Sequence, residues 1–180
     1  MTAKTFTITI DGEPQAIKAG APCTNRAGHA YIRSNEDSNR EKFRISEVAL
    51  AKIAEMNGFE PFSKAIIMHV YYYFTKPASK IRKRSTPFPF KDCMPDFDNL
   101  IKVTMDGIQR ANGKKRNETE TIVWSDDGQV LGGHAMKHYC KEGEEPRTEV
   151  VLVEVLDPAV FDLYNDMANE ALEVLIGGKA

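Results

Sequence analysis

The chain has 180 residues, of which 42% are hydrophobic and 28% charged, and its formal net charge at pH 7 is −2. This composition is typical of a soluble globular protein, and the length predicts one domain with a substantial core. No apolar run follows the first residues, and residues 65–74 form the longest apolar stretch, so neither a secretory signal nor a bilayer-spanning segment is predicted. The three cysteines are widely spaced, which favours free thiols in a reducing cytoplasm and gives no support to structural zinc.

The N-terminal third alternates between regular elements and turns. Residues 5–10 alternate polar with apolar side chains and predict a strand. Residues 20–37 are small and polar and predict a loop. Ser38 with Glu41 forms a capping-box pattern that predicts a helix from Ser38 to about Asn57.

The middle of the chain contains a buried strand, a long loop and a second helix. Residues 65–74 are β-branched and aromatic and predict the strand. Residues 75–95 contain four prolines and predict a long loop, which is often a functional feature. The second helix is predicted from about Asp98 to Arg110.

The last third predicts two strands joined by a charged loop and followed by a helix. A short strand at 121–124 and a turn at 125–128 precede strands at 129–139 and 147–155. Asp157 and Pro158 are suited to the N-cap and first turn of a helix over 158–176. These elements together predict an α+β fold, with a small mixed, mainly antiparallel sheet, flanking helices and an extra C-terminal helix.

Charge is distributed unevenly along the chain. From Lys76 to Arg116 there are eleven Lys or Arg against four Asp, a net charge of +7, whereas residues 157–180 carry −4. A basic segment is most often a solvated loop, but beside a metal site it suits a polyanionic substrate.

Asp96 and Asp98 flank Phe97 just before the second helix. In an extended segment two such carboxylates face one side, while Phe97 points into the core. Carboxylate pairs suit Mg²⁺, but a bare Asp-x-Asp is more often a helix cap, with Asp98 as the N-cap residue. The residues alone therefore leave both interpretations open.

Residues on two further elements favour the metal interpretation. Lys102 follows Asp98 by four residues on the same helix face and can neutralise charge that develops on a phosphate. Asp106 is interpreted as structural support that pairs with Lys102. Asp126 and Asp127 form an ordinary turn sequence, but a third carboxylate before the next strand would complete a metal site.

The three segments "PDFDNLIK", "IVWSDDGQV" and "EEPRTEVVLVEV", in this order, resemble the RusA-like Holliday-junction resolvases of bacteria and prophages. The resemblance is sharp over about residues 95–155 and loose before them. It implies a Mg²⁺-dependent endonuclease (Mn²⁺ being the alternative) that cleaves branched DNA as a homodimer in the cytoplasm of a bacterium or a phage-infected cell, with no membrane partner.

The resemblance also implies roles for individual residues. Three carboxylates are expected to hold metal, and a lysine assists catalysis: Asp96, Asp98, Asp127 and Lys102. Asp126 is a further candidate ligand, and Asn99 and Gln129, with Asp106, are supporting residues. The candidate DNA-binding residues are Arg26, Arg33, Lys76, Lys80, Arg82, Lys83, Arg84, Lys91, Lys114, Lys115 and Arg116.

The chain departs from the family pattern at three places. Residues 109–121 lengthen the link between the second helix and the Asp-Asp turn, residues 17–22 lack arginines that many relatives carry, and an acidic helix follows the usual core. We therefore expect a nuclease domain over 1–156 and an amphipathic helix over 157–180 that docks on its own domain or on a second subunit.

Other functions fit the residues less well. A non-catalytic branched-DNA-binding protein would be expected to have lost a ligand, and none of the motif positions is lost. A phage nuclease with another DNA-structure preference remains an alternative. Asp-x-Asp also holds Mn²⁺-nucleotides in sugar transferases, but the chain is short for that class and has no Gly-rich phosphate loop. Trp124 is interpreted as a core anchor, residues 71–74 as strand core and rim, and His134 and His138 as core or surface residues.

Overall fold

The computed structural model describes residues 4–16, 21–33, 36–77, 91–109 and 123–157, together with Ala159, Asp162 and Asp166. In chain order the elements are β1 (Thr5–Asp11), β2 (Ala21–Thr24), β3 (Ala30–Arg33), α1 (Glu36–Glu55), β4 (Ile66–Phe74), α2 (Phe97–Gln109), β5 (Val130–Tyr139) and β6 (Arg147–Glu154). A short 3-10 turn, Asp127–Gln129, directly precedes β5.

Four of the strands form one mixed sheet in the order β1-β6-β4-β5. β6 pairs antiparallel with both β1 and β4, whereas β5 runs parallel to β4. Together with the two helices this is the α+β fold that the sequence predicts. The parallel pairing has a consequence for the site, because it places the start of β5 at the same edge of the sheet as the start of β4.

The core lies on one face of this sheet. Side chains alternate along β1, along β6 and along β4 from Met68 onward, so that every second residue is buried. The buried core includes the strand residues Phe6, Ile8, Ile10, Ile66, Met68, Val70, Tyr72, Phe74, Tyr139, Val150 and Leu152, and the helices add Ile45, Ala49, Leu100 and Ile108. The Tyr72 hydroxyl lies 3.0 Å from the Thr104 hydroxyl, which fixes α2 against β4. Burial raises the pKa of Tyr72, so this contact is made by the neutral phenol.

The region predicted as a loop over 20–37 contains a hairpin. β2 and β3 pair antiparallel, with Ala21 opposite Arg33 and Thr24 opposite Ala30. The Asn25 side chain accepts hydrogen bonds from the backbone N–H groups of Ala27 and His29, and Gly28 has a φ of 82°. These local hydrogen bonds close the turn although the segment has almost no apolar alternation.

Two helix starts differ from the prediction by a few residues. α1 begins at Glu36, so Ser38 lies inside the helix, where it is buried, and does not cap it. α2 begins at Phe97. Only an isolated bridge between Phe62 and Trp124 represents the predicted strand at 121–124 within the described residues.

Three predicted segments fall mainly outside the described residues: most of the proline-rich loop, the link after α2 and the C-terminal helix. At the start of the last segment, the Asp157 carboxylate accepts a hydrogen bond from the Ala159 N–H at 2.9 Å, as expected of an N-cap. Within the described part of the chain, no helix is long and apolar enough to cross a membrane.

Candidate active site

The Asp96–Asp98 pair lies at the start of α2 rather than on an extended segment. The Asp96 carbonyl accepts the first helical hydrogen bond, from the Leu100 N–H at 3.2 Å, so Asp96 occupies the N-cap position and Asp98 the first turn. The prediction that Phe97 anchors in the core is wrong, since its side chain is 42% exposed and Leu100 is fully buried instead. The helical period explains this, because residues 100, 103, 104, 107 and 108 form the buried face.

Both carboxylates are open to solvent. Among the described residues, neither side chain makes a hydrogen bond or ion pair. These oxygens are therefore free to bind a cation.

Lys102 is exposed one helical turn after Asp98. Its ammonium group has no ion-pair partner among the residues that the structure describes. The predicted partner, Asp106, instead forms an ion pair with Lys42 of α1. Asp106 thus joins the two helices, while Lys102 stays available to a phosphate.

Lys137 is a site residue that the sequence analysis missed. Its ammonium group donates to the carbonyl oxygens of Cys93 at 2.9 Å and Pro95 at 3.0 Å, which holds the approach to Asp96 against the end of β5. The sequence position of Lys137 could have pointed to this role, because Lys137 alternates with Ala135 and Tyr139 on the face of β5 that is turned toward the core. A lysine on the core face of a strand needs polar partners.

The second acidic motif is a tightly capped turn. One Asp126 oxygen accepts the Gly128 N–H at 2.6 Å, and the Gln129 carbonyl oxygen accepts the backbone N–H groups of Ser125 and Asp126 at 2.9 and 3.1 Å. The Gln129 amide group donates to the carbonyl oxygens of Phe62 and Lys64, both at 3.1 Å. Asp126 therefore caps the turn, and Gln129 ties it to the chain before β4.

Asp127 is presented to solvent by this turn. Its carboxylate is exposed, and the indole N–H of Trp124 lies 3.5 Å from one of its oxygens. Trp124 is fully buried, as predicted for a core anchor. A rigid indole behind the turn limits where Asp127 can point.

The two acidic motifs lie at opposite ends of β5. Asp127 precedes Val130, whereas Asp96 follows the carbonyl that Lys137 holds. From Val130 to Lys137 the strand advances by seven residues, or about 23 Å at about 3.3 Å each. In the described ranges no three His, Cys, Asp or Glu side chains are grouped to hold a metal ion. A single chain therefore does not bring Asp127 to Asp96 and Asp98.

Few of the predicted DNA-binding residues have described side chains. Arg26 is exposed in the β2–β3 hairpin, and Lys76 is half-buried just after β4. Lys91 bonds to β5 through its backbone, and its ammonium group lies 4.7 Å from the centre of the Phe74 ring. The side chains of the others lie outside the described part: Arg33, Lys80, Arg82, Lys83, Arg84, Lys114, Lys115 and Arg116.

His134 and His138 lie on the sheet face opposite the core. Both rings approach Tyr71, at 5.8 and 6.2 Å between ring centres, and His138 also stacks on Tyr73 at 5.4 Å. Burial and the nearby His134 lower the pKa of His138, so its neutral form is favoured. The prediction of strand core and rim for residues 71–74 is confirmed, with Tyr72 and Phe74 in the core and Tyr71 and Tyr73 half-buried on the other face.

Comparison with known proteins identifies the family. No curated protein matches the chain. A sequence model of the family described as endodeoxyribonuclease RusA matches residues 21–153, which include both acidic motifs and all strands except β1 and the last residue of β6. The match covers well over half of the chain. The chain therefore belongs to the RusA family of junction-resolving endodeoxyribonucleases.

Proposed function

We infer that this chain is a Mg²⁺-dependent endodeoxyribonuclease that resolves four-way or other branched DNA by paired hydrolysis of phosphodiester bonds, with Mn²⁺ as an alternative metal. The observation that carries this inference is the exposed pair Asp96 and Asp98 at the start of α2, inside the segment that matches the nuclease family. Lys102 stands one turn further along the same helix.

The residues present fit a hard divalent cation. Carboxylate oxygens that are exposed and have no described partner are the donors that Mg²⁺ takes together with water and phosphate oxygens. Asp96, Asp98 and Asp127 would hold the ion, which when bound would acidify a water molecule and polarise the scissile phosphate. Asp126 is a weaker candidate, because one of its oxygens already caps the turn.

Lys102 supports the reaction through its charge. A phosphodiester gains negative charge as the attacking oxygen approaches, and a nearby ammonium group lowers the energy of that state. Lys102 has no competing ion pair among the described residues, because Asp106 is engaged with Lys42.

The separation of the acidic motifs supports a site built from two copies of the chain. β5 is the last strand of the sheet in the described residues, so one side of its backbone has no strand neighbour there. Two β5 strands that pair antiparallel across a two-fold axis bring the start of each strand beside the end of the other. Asp127 of one copy then approaches Asp96 and Asp98 of the second copy, and the homodimer carries two equal sites.

The remaining predicted parts have supporting roles in this proposal. The basic residues around 76–91 and 110–116, with Arg26, would contact backbone phosphates, which supplies affinity rather than sequence selection. Residues 1–156 form the nuclease unit, and the acidic segment 157–180 docks on its own unit or on the second copy. We place the protein in the cytoplasm, where its DNA substrate is.

The test is cleavage of a labelled four-way junction and of a linear duplex with the same sequences, with and without Mg²⁺. We expect metal-dependent cutting of the junction by the parent protein and loss of at least about 100-fold in Asp96→Asn, because even second-shell partners of metal ligands cost about 10–100-fold. Asp162→Asn removes an exposed carboxylate from the C-terminal segment and is the matched control.

Two results would count against the proposal. If Asp96→Asn cuts the junction at the parent rate, the assignment of Asp96 to the active site is wrong. If the junction and the duplex are cut at equal rates, the protein is a nuclease, but the inferred preference for branched DNA is wrong.

A further inference from the structure

A cleft of about 630 Å³ opens beside the start of α2. Asp96 and Asn99 line one side of it, so it is continuous with the candidate active site. The opposite side comes from the segment after β1. Most of its wall is apolar and consists of Pro14, Ala16, Phe74, Met94 and Pro95.

The polar rim of the cleft is partly fixed in place. The Glu13 carboxylate accepts hydrogen bonds from the Thr75 N–H at 3.1 Å and the Thr75 hydroxyl at 2.9 Å, which joins the end of β1 to the end of β4. The Lys91 ammonium group lies between the Phe74 and Tyr139 rings, 4.7 and 5.4 Å from their centres. These contacts keep the mouth of the cleft open on a rigid frame.

Asn99 and Gln15 are the uncharged polar side chains of the cleft, and the Gln15 amide group already donates to the Glu13 carbonyl oxygen at 3.4 Å, so Asn99 is the better placed for a ligand. It is half-buried, and among the described residues its amide makes no hydrogen bond. An amide offers both a donor and an acceptor, the combination with which Asn side chains read base edges.

The walls discriminate between a nucleobase and a phosphate. Glu13 and Asp96 are both negatively charged and repel an anion, and Lys91 is the single cation among the described lining residues. Flat apolar surfaces such as those of Pro14, Pro95 and Met94 instead suit the faces of a base. The volume lies in the range of pockets that enclose a small organic ligand.

We propose that this cleft binds one unpaired nucleobase of the DNA strand being cut, next to the scissile phosphate. The proposal rests on the proposed function, since a phosphate held by the metal ion at Asp96 would place its neighbouring nucleotide at the mouth of the cleft. Bases at a branch point cost less to unstack than bases inside a duplex, so the cleft would also favour branched substrates. The base preference of cutting is then set by Asn99.

The experiment compares junctions that differ only in the nucleotides flanking the cut. We expect parent rates to differ by about 10-fold or more among the four bases at one position, and an abasic nucleotide there to slow cutting by a similar factor, because a good base contact is worth about 1–3 kcal/mol. Asn99→Ala should reduce the ratio between best and worst base to below about threefold, whatever its absolute rate. Gln109→Ala, at the other end of α2, should leave the ratio unchanged.

The outcomes separate this proposal from the proposed function. Metal-dependent junction cutting that is insensitive to the flanking base and to the abasic nucleotide would overturn the base site and leave the nuclease intact. If the parent does not cut, 2-aminopurine placed at successive positions of the junction reports the base site through fluorescence. A change confined to one position that Asn99→Ala abolishes would support the site, and a uniform signal would overturn it.

Discussion

Gly133 in β5 should be intolerant of any side chain. A Cβ atom added there would lie 1.7 Å from the carbonyl oxygen of Met68 and 2.6 Å from its carbonyl carbon, both in the backbone of β4. The φ of Gly133, 155°, is also one that other residues rarely adopt. The neighbouring Gly132 has nothing within 4 Å of the same added atom and is a matched control.

The expected cost of Gly133→Ala is about 3 kcal/mol, at the upper end of overpacking effects, since a backbone carbonyl cannot rotate away. With a urea slope of about 2 kcal/mol/M, the unfolding midpoint should fall by about 1.5 M. Gly132→Ala should stay within about 0.5 kcal/mol of the parent. Equilibrium urea unfolding followed by circular dichroism measures both. A Gly133→Ala midpoint within about 0.25 M of the parent would refute the close approach of β5 to β4.

Three further predictions concern stability and the second acidic motif. Gly107→Ala should destabilise the fold by about 2 kcal/mol in urea unfolding, because the new Cβ meets Ile45 Cβ at 2.7 Å. Burial opposes ionisation of Glu154, but hydrogen bonds from the Ser63 and Lys64 N–H groups lower its pKa below the ordinary value for Glu. Its stabilisation is therefore complete above the ordinary pKa of Glu and is lost as the pH falls through the lower pKa of the folded state. Glu154→Gln should cost about 2 kcal/mol at pH 7 and flatten the pH dependence of unfolding below about pH 4.5. Gln129→Ala removes all the hydrogen bonds that its amide makes around the Asp127 turn, and should cost about 3 kcal/mol in urea unfolding and lower junction cleavage more than Gln109→Ala does.

The elements of the sheet could be predicted because their residues repeat with the period of a strand. β1 and β6 alternate strictly, and β4 is β-branched and aromatic, so their bounds agree with the prediction to within a residue or two. The β2–β3 hairpin could not be predicted this way, since its residues lack a clear apolar alternation and its turn is closed by the hydrogen bonds of Asn25.

The burial of Phe97 was predicted wrongly from the local residue pattern. Asp96, Phe97 and Asp98 alternate like a strand, and that alternation predicts an anchored Phe97. The helical period of the following residues prevails instead, because Leu100 and Val103 bury more effectively against the sheet and α1. The side chains of a short motif at the start of a helix therefore follow the helical period rather than the alternation of a strand.

The distance between the two acidic motifs could not be predicted from the sequence either. Their order along the chain predicts neighbouring elements, but the edge at which Asp127 lies depends on whether β5 runs parallel or antiparallel to β4. The structure has it parallel, which places the Asp127 turn, through Gln129, beside Phe62 and Lys64 just before β4. Non-local strand pairing of this kind is not encoded in any short segment.

The central claim is that Asp127 of one copy serves the same site as Asp96 and Asp98 of the other. Asp96→Asn and Asp127→Asn proteins, each inactive alone, are mixed under conditions that exchange subunits, and Mg²⁺-dependent cutting of a four-way junction is followed. A shared site predicts that the mixed dimer regains one intact site and nicks the junction, while each variant alone stays inactive. Persistent inactivity of the mixture, with subunit exchange confirmed by differently labelled proteins, would contradict the claim.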